Sequence, residues 1–154
     1  MRRKDIDQII EEHQTSAPVQ IISMARAMNM KVFKTQGWPD NICGSITQED
    51  GMYVIRANAN HAKTRRRFTI AHEIAHFVLH RDLIGDGVQD DALYRSHLGS
   101  NLERQANSFA ADLLMPWALV ERCMKQGAAS IQRLALELQV SKAAISIRLG
   151  IPFE

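Results

Sequence analysis

The chain has 154 residues, enough for one compact core but too few for two generous domains. Its 19 Lys and Arg exceed its 17 Asp and Glu by only two, so charge neither requires nor excludes nucleic-acid binding. The basic residues 1–5 have no apolar stretch behind them, so we expect neither a signal peptide nor a membrane anchor. Cys43 and Cys123 are far apart and form no C-x-x-C pair, which favours a reduced, cytoplasmic compartment.

The first half of the chain mixes helical and strand patterns. The chain begins with a short polar helix, and Pro18 would then open an amphipathic helix. A short strand, a turn-rich break and a hairpin whose turn contains Gly51 follow. The predicted ranges are 5–14 and 18–29 for the helices, 31–33 for the short strand, and 42–47 and 52–57 for the hairpin strands.

The second half of the chain reads as mainly helical. The predicted helices span 67–80, 100–115, 117–126, 131–138 and 142–149, and Pro116 and Gly127 end two of them. Residues 81–99 show no sustained period, so we expect a long loop with at most a short helical turn. These patterns predict an α+β fold in which a small antiparallel sheet lies beside the helix at 67–80. We expect a main domain at 1–127 and a helix-turn-helix-like tail at 128–154 packed on that domain.

The pattern H-E-x-x-H, formed by His72, Glu73 and His76, is the most informative feature of the chain. Residues four apart on a helix lie one above the other, so both imidazoles can reach one metal ion, and the glutamate lies beside them as a general base. The alternative is a chance match on an exposed helix. We favour a metal site because the surrounding helix is apolar nearly all round, where these polar groups would be costly to bury without a partner.

Two histidines do not complete a catalytic zinc site, which usually has three protein ligands and one open position. Glu103, at the start of the next helix, is the candidate third ligand, with Asn107 one turn further on. In the alternative interpretation, Ser100 and Glu103 form a capping box that only closes the helix start. His80 would make a closed, structural site if it were a fourth ligand. We favour a role outside the ligand set, because His80 lies about 12 Å along the helix from His72.

Other polar residues leave their alternatives open. Tyr94, Arg95 and His97 in the long loop are candidates to polarise a carbonyl or stabilise an oxyanion, although plain loop residues are the more ordinary interpretation. Asn107 is a further candidate helper. Arg65, Arg66 and Arg67 form either a phosphate-binding patch or, as we favour, a solvated helix entrance.

The tail has the spacing of a helix-turn-helix, with Ala135 in its first helix and Ser141 opening its second. The second helix offers only Lys142, Ser146 and Arg148 as polar contacts, a poor supply for phosphates and bases. We therefore favour a structural helical pair and do not expect the chain itself to bind DNA.

Two motifs together resemble a known family. The segment 65–76, R-x-R-F-T-I-A-H-E-I-A-H, and the segment 103–116, E-x-x-A-N-x-F-A-x-x-L-L-M-P, look like those of the ImmA/IrrE family of zinc metallopeptidases. The resemblance covers roughly residues 17 to 150. It implies a zincin-like metallopeptidase fold with one Zn²⁺ per chain, held by His72, His76 and Glu103, and Glu73 as catalytic base.

The same resemblance implies an intracellular role and a partner. Family members typically cleave a helix-turn-helix repressor of the Xre type, so we expect an endopeptidase that acts on such a repressor. A toxin neutralised by an Xre-type antitoxin, and a DNA-binding regulator that uses the tail, are the alternatives.

Overall fold

The computed structural model describes residues 1–91 and 98–151, and it confirms the predicted α+β class. The helices are α1 Arg3–Glu12, α2 Ile21–Ala27, α3 Lys63–Leu79, α4 Arg81–Ile84, α5 Ser100–Leu114, α6 Trp117–Lys125, α7 Ile131–Leu138 and α8 Lys142–Leu149. The strands are β1 Lys31–Thr35, β2 Ile42–Glu49, β3 Met52–Asn58 and β4 Gly87–Asp91. Helix α2 begins at Ile21, so the expectation that Pro18 opens it is wrong. No helix within these residues is both long and apolar enough to cross a bilayer.

The four strands form one sheet in the order β1-β3-β2-β4. Strands β2 and β3 form the predicted antiparallel hairpin, and Gly51 in its turn has a φ of +78°. The sheet is mixed, however, because β1 pairs with β3 in parallel, so the prediction of an antiparallel sheet is wrong for β1. Residues 36–41 connect β1 to β2, which is not its neighbour in the sheet. The hairpin turn then brings the chain back, and β3 lies between β1 and β2. This return makes β3 run in the same direction as β1.

Strand β4 lies within the segment predicted to be a loop, and α4 is the short helical turn expected there. Val88 is the one aliphatic residue of β4 and is buried. A single buried residue on an edge strand gives no alternation that a sequence pattern reveals. Gly87 allows the close pairing with β2, since a Cβ there would lie 2.8 Å from Thr47 Cγ2 and 3.0 Å from the Ile46 carbonyl oxygen.

Helix α3 lies between the sheet and α5, packed on β2 and β3 on one side and on α5 on the other. It begins four residues before the predicted start at 67. The prediction missed this first turn because its residues are polar and show no apolar periodicity. Every residue from 69 to 77 is buried. Gly44 of β2 makes the close packing possible, because a Cβ there would collide with the Thr69 methyl group and lie 2.7 Å from the Arg56 carbonyl oxygen.

Helices α7 and α8 have the predicted bounds and share the main hydrophobic core. Their buried residues in that core are Leu134, Ala135, Leu138 and Ile145, and Val140 in the turn between the two helices belongs to the same core. The division of the chain at residue 127 stays a prediction.

The interpretation of Arg65–Arg67 as a solvated helix entrance is wrong for two of these residues. Arg66 Nη1 donates to the His61 carbonyl oxygen at 2.6 Å. Arg67 donates to the carbonyl oxygens of Val19 at 2.8 Å and of Gln139 at 3.2 Å, and burial lowers the pKa of its guanidinium. Arg66 therefore holds the segment just before α3, whereas Arg67 connects α3 to distant segments, including the turn between α7 and α8.

Candidate metal centre

Helices α3 and α5 bring His72, His76 and Glu103 together. The two histidines lie one turn apart on the face of α3 toward α5, and Glu103 projects from the first turn of α5. Glu103 Oε2 lies 3.0 Å from His72 Nε2, and Glu103 Oε1 lies 2.8 Å from His76 Nε2. The side chains are 7%, 0% and 1% exposed, respectively. The capping-box interpretation of Glu103 is wrong, because the N-cap is Gly99 and no side chain caps the helix.

The three donors suit a metal ion in chemistry and in spacing. One donor atom of each residue lies within 4.8 Å of the other two, and no second such group occurs within 1–91 and 98–151. Bonds of about 2.0–2.1 Å in a tetrahedral zinc site place donors about 3.4 Å apart. The observed 2.8 and 3.0 Å therefore need to widen by about 0.5 Å for an ion to enter. A buried carboxylate facing two imidazoles is stabilised by a cation, so the residues fit a metal.

His80 lies behind His76, outside the ligand set as expected. Its Nδ1 is 2.9 Å from His76 Nδ1, and its Nε2 is 2.9 Å from Gln105 Oε1. If His76 Nε2 binds a metal, the proton of that ring must lie on Nδ1 and be donated to His80. His80 then carries its own proton on Nε2 and donates it to Gln105, so one arrangement of neutral rings satisfies both contacts of His80.

Asn107 lies behind His72 and supports that ring in the way that His80 supports His76. Its Oδ1 is 2.8 Å from His72 Nδ1, so it accepts a hydrogen bond from that ring when Nε2 faces the metal. The structure thus places Asn107 against a ligand, where it orients the imidazole. Tyr94, Arg95 and His97, the other candidate helpers, lie outside the described residues.

Glu73 follows His72 in α3 and is fully buried. Its place in the motif, one residue after the first ligand and three before the second, is the one that a general base takes in metallopeptidases with this pattern. The neighbouring residues Ile74 and Ala75 are also fully buried, so Glu73 lies in a buried stretch of α3.

A cavity of about 620 Å³ opens beside the candidate metal ligands, and His72 and Glu103 form part of its wall. The remaining wall comes mainly from the first half of α3, from α5 and from α8. The sequence did not indicate that Ala144 or Ile147 belongs to the site. These residues show only ordinary helical apolarity, and their position depends on how the tail packs.

Comparisons with known proteins agree with this arrangement. The family model for the IrrE N-terminal-like domain, Peptidase_M78, matches residues 25–150. Among solved structures, a Mycobacterium tuberculosis transcriptional regulator superposes with a TM-score of 0.64 at 19% identity, which shows the fold alone. The alignment covers 97% of this chain and 46% of that one, so this chain spans about half the length of the regulator. No curated protein matches the chain. Because the family match includes both histidines, Glu103 and the tail helices, this chain belongs to the IrrE N-terminal-like (Peptidase_M78) family, that of the ImmA/IrrE metallopeptidases.

Proposed function

We propose that this chain is a zinc-dependent endopeptidase that cleaves an intracellular helix-turn-helix repressor of the Xre type. The observation that carries the proposal is the buried triad of His72, His76 and Glu103, of which His72 and Glu103 line a cavity large enough for part of a peptide. Three protein ligands beside an accessible space are typical of catalytic zinc sites, whereas structural sites have four.

The residues divide the chemistry among them. His72, His76 and Glu103 would hold the zinc through Nε2, Nε2 and the carboxylate. When bound, zinc would supply a Lewis acid that polarises the scissile carbonyl and lowers the pKa of water toward about 7. A Glu73 carboxylate oxygen accepts the proton of the attacking water and delivers it to the leaving amine nitrogen. The C–N bond of the peptide breaks as the new C–O bond is completed.

Asn107, His80 and Gln105 keep the ligands in place during these steps. Their contacts hold both Nδ1 protons, so both Nε2 lone pairs point toward Glu103. The rings are therefore preoriented, and binding a metal does not require them to turn.

The choice of a repressor as substrate rests on the family. ImmA/IrrE-like proteins typically act on Xre-type regulators, and the structural neighbour from Mycobacterium tuberculosis is itself a transcriptional regulator. A flexible segment outside the DNA-binding helices is the part of a repressor that extends most readily across a zinc site, so we place the cut there.

The test uses the zinc-loaded chain and the Xre-type regulator encoded nearest to its gene, incubated together and analysed by mass spectrometry. We expect one discrete cut that a chelator abolishes and added zinc restores, while an unrelated folded protein stays intact. An intact regulator that also fails to bind the zinc-loaded chain would reject this target. A toxin role would then be favoured, and loss of the cellular effect in Glu73→Gln would tie that role to the same site.

A further inference from the structure

The cavity beside the candidate metal ligands has both polar and apolar residues in its wall. His72, Glu103 and Asn107 mark the part beside the metal centre, where a scissile peptide would lie. Aliphatic, aromatic and small side chains dominate the rest, including Phe68, Ala111, Met115, Val140, Ala144 and Ile147. Arg65 is the one basic residue and Glu103 the one acidic residue in the described part of the lining. The wall beyond the ligands thus suits an uncharged, apolar group.

Helix α8 provides one side of this cavity. Ala143, Ala144 and Ile147 face it, and the two alanines leave depth that larger residues would fill. Ile147 is 80% exposed, which is unusual for an isoleucine beside an otherwise apolar cavity. An apolar group that entered the cavity would cover part of this exposed side chain.

The position of α8 is fixed by contacts with the main body of the fold. Arg148 Nη1 lies 2.8 Å from Asp112 Oδ1, and Arg148 Nε donates to the Met115 carbonyl oxygen at 3.0 Å. The same guanidinium lies 4.7 Å from the centre of the Trp117 ring. At the other end of α8, Arg67 holds the preceding turn through the Gln139 carbonyl oxygen. The arginine that a recognition helix would offer to DNA is therefore used to hold α8 beside the cavity.

We propose that α8 is a wall of the substrate cleft and that the cavity selects a large apolar side chain next to the scissile bond. This inference rests on the proposed peptidase function. The continuity of the cavity with His72 and Glu103 identifies the occupant as part of the substrate, since a group at the metal extends directly into the space between α3, α5 and α8.

The experiment uses three small hydroxamates, which bind zinc themselves, with the zinc-loaded chain in calorimetric titrations. Acetohydroxamate reports the metal alone, 4-methylpentanohydroxamate adds a branched apolar group, and the monohydroxamate of succinic acid adds a carboxylate of similar length. We expect the apolar probe to bind at least about tenfold more tightly than acetohydroxamate, because its added methylenes become buried, and the acidic probe to gain nothing.

Two matched variants locate the effect. Ile147→Ser should reduce the advantage of the apolar probe at least about threefold, since an aliphatic wall is lost, and leave acetohydroxamate affinity unchanged. Leu136→Ser changes a comparably exposed aliphatic residue of α7, 72% exposed and outside the cavity lining, and should change neither affinity. Ala144→Phe should fill the cavity and remove the advantage altogether, whereas Ala118→Phe on the exposed side of α6 should not.

The outcomes separate this inference from the proposed function. If the zinc-loaded chain fails to bind acetohydroxamate, the site has no open metal position and the peptidase proposal fails. If acetohydroxamate binds but the apolar probe gains nothing, or gains equally in Ile147→Ser and Ala144→Phe, the apolar pocket is rejected while the metal site stands.

Discussion

The Glu103 cluster and the Glu49–Arg56 pair have similar atomic distances but lie in opposite surroundings. Glu103 contacts the two imidazoles at 2.8 and 3.0 Å, and Glu49 contacts Arg56 at 2.6 Å. The Glu103 side chain is 1% exposed between α3 and α5, whereas Glu49 is 45% exposed at the end of the β2–β3 hairpin. Water solvates the charged groups of an exposed pair whether or not they contact each other, but a buried carboxylate needs partners for its charge. Burial, rather than distance, therefore distinguishes the candidate functional cluster from an ordinary surface contact.

The largest expected effect is loss of the metal on replacing a ligand. His72→Ala, His76→Ala and Glu103→Ala should each weaken zinc binding by more than about 100-fold, because each removes one of three donors. Loss of a residue that only supports a ligand weakens binding by at most about 100-fold, so loss of a ligand should cost more. Competition with a chromophoric chelator measures the affinity, and Glu49→Gln, which changes the exposed carboxylate, serves as the control. Full zinc occupancy in Glu103→Ala together with loss in His80→Ala would show that the third ligand is misassigned.

The second effect separates metal binding from catalysis within the buried cluster. Glu73→Gln keeps the shape of the side chain but removes the base, so turnover should fall by at least about 100-fold while zinc affinity stays at the wild-type value. Cleavage of the target regulator by metal-replete protein measures this. Proteolysis at the wild-type rate in that sample would contradict the assignment of Glu73.

A smaller effect tests the support behind His76. Gln105→Ala removes the acceptor for His80, so zinc affinity should fall by about tenfold, the lower end of the range for such supporting residues. Gln105→Glu keeps an acceptor oxygen and should recover most of the affinity, which a merely structural role would not predict. Gln132→Ala, the same change on the exposed face of α7, is the control. Wild-type affinity in a folded Gln105→Ala variant would show that the contact does not act on the metal.

The smallest effect belongs to the exposed pair. The Arg56 guanidinium, helped by the Thr47 hydroxyl, lowers the pKa of Glu49 from 4.5 to about 2. Because the folded pKa is the lower one, the stabilisation is present above pH 4.5 and is lost as the pH falls toward about 2. Glu49→Gln should lower Tm by less than about 3 °C at neutral pH, and the difference from wild type should shrink over that acidic range. A constant difference down to pH 2 would show that the effect is not due to the carboxylate charge.

The sequence by itself determined the local parts of the site. A spacing of four residues puts His72 and His76 on one helix face whatever the rest of the fold does, and the two family motifs identified Glu103 on a separate helix. The bounds of α7 and α8 were predictable because their start and stop signals are local, namely a serine at each N-cap and Gly150 after α8.

Only the tertiary structure decided which of these parts meet. The pairing of β1 with β3 and the edge position of β4 depend on how distant segments pair, and neither leaves a periodic signal in its own residues. Arg67 could not be distinguished from its solvated neighbour Arg65, because its partners lie about 50 and 70 residues away in the chain. In the same way, Gln105 and Ile147 have unremarkable sequence surroundings. Gln105 contacts His80 because α5 packs against α3, and Ile147 lines the cavity because of where α8 packs. Side chains on separate helices are brought together by packing and not by their spacing in the sequence.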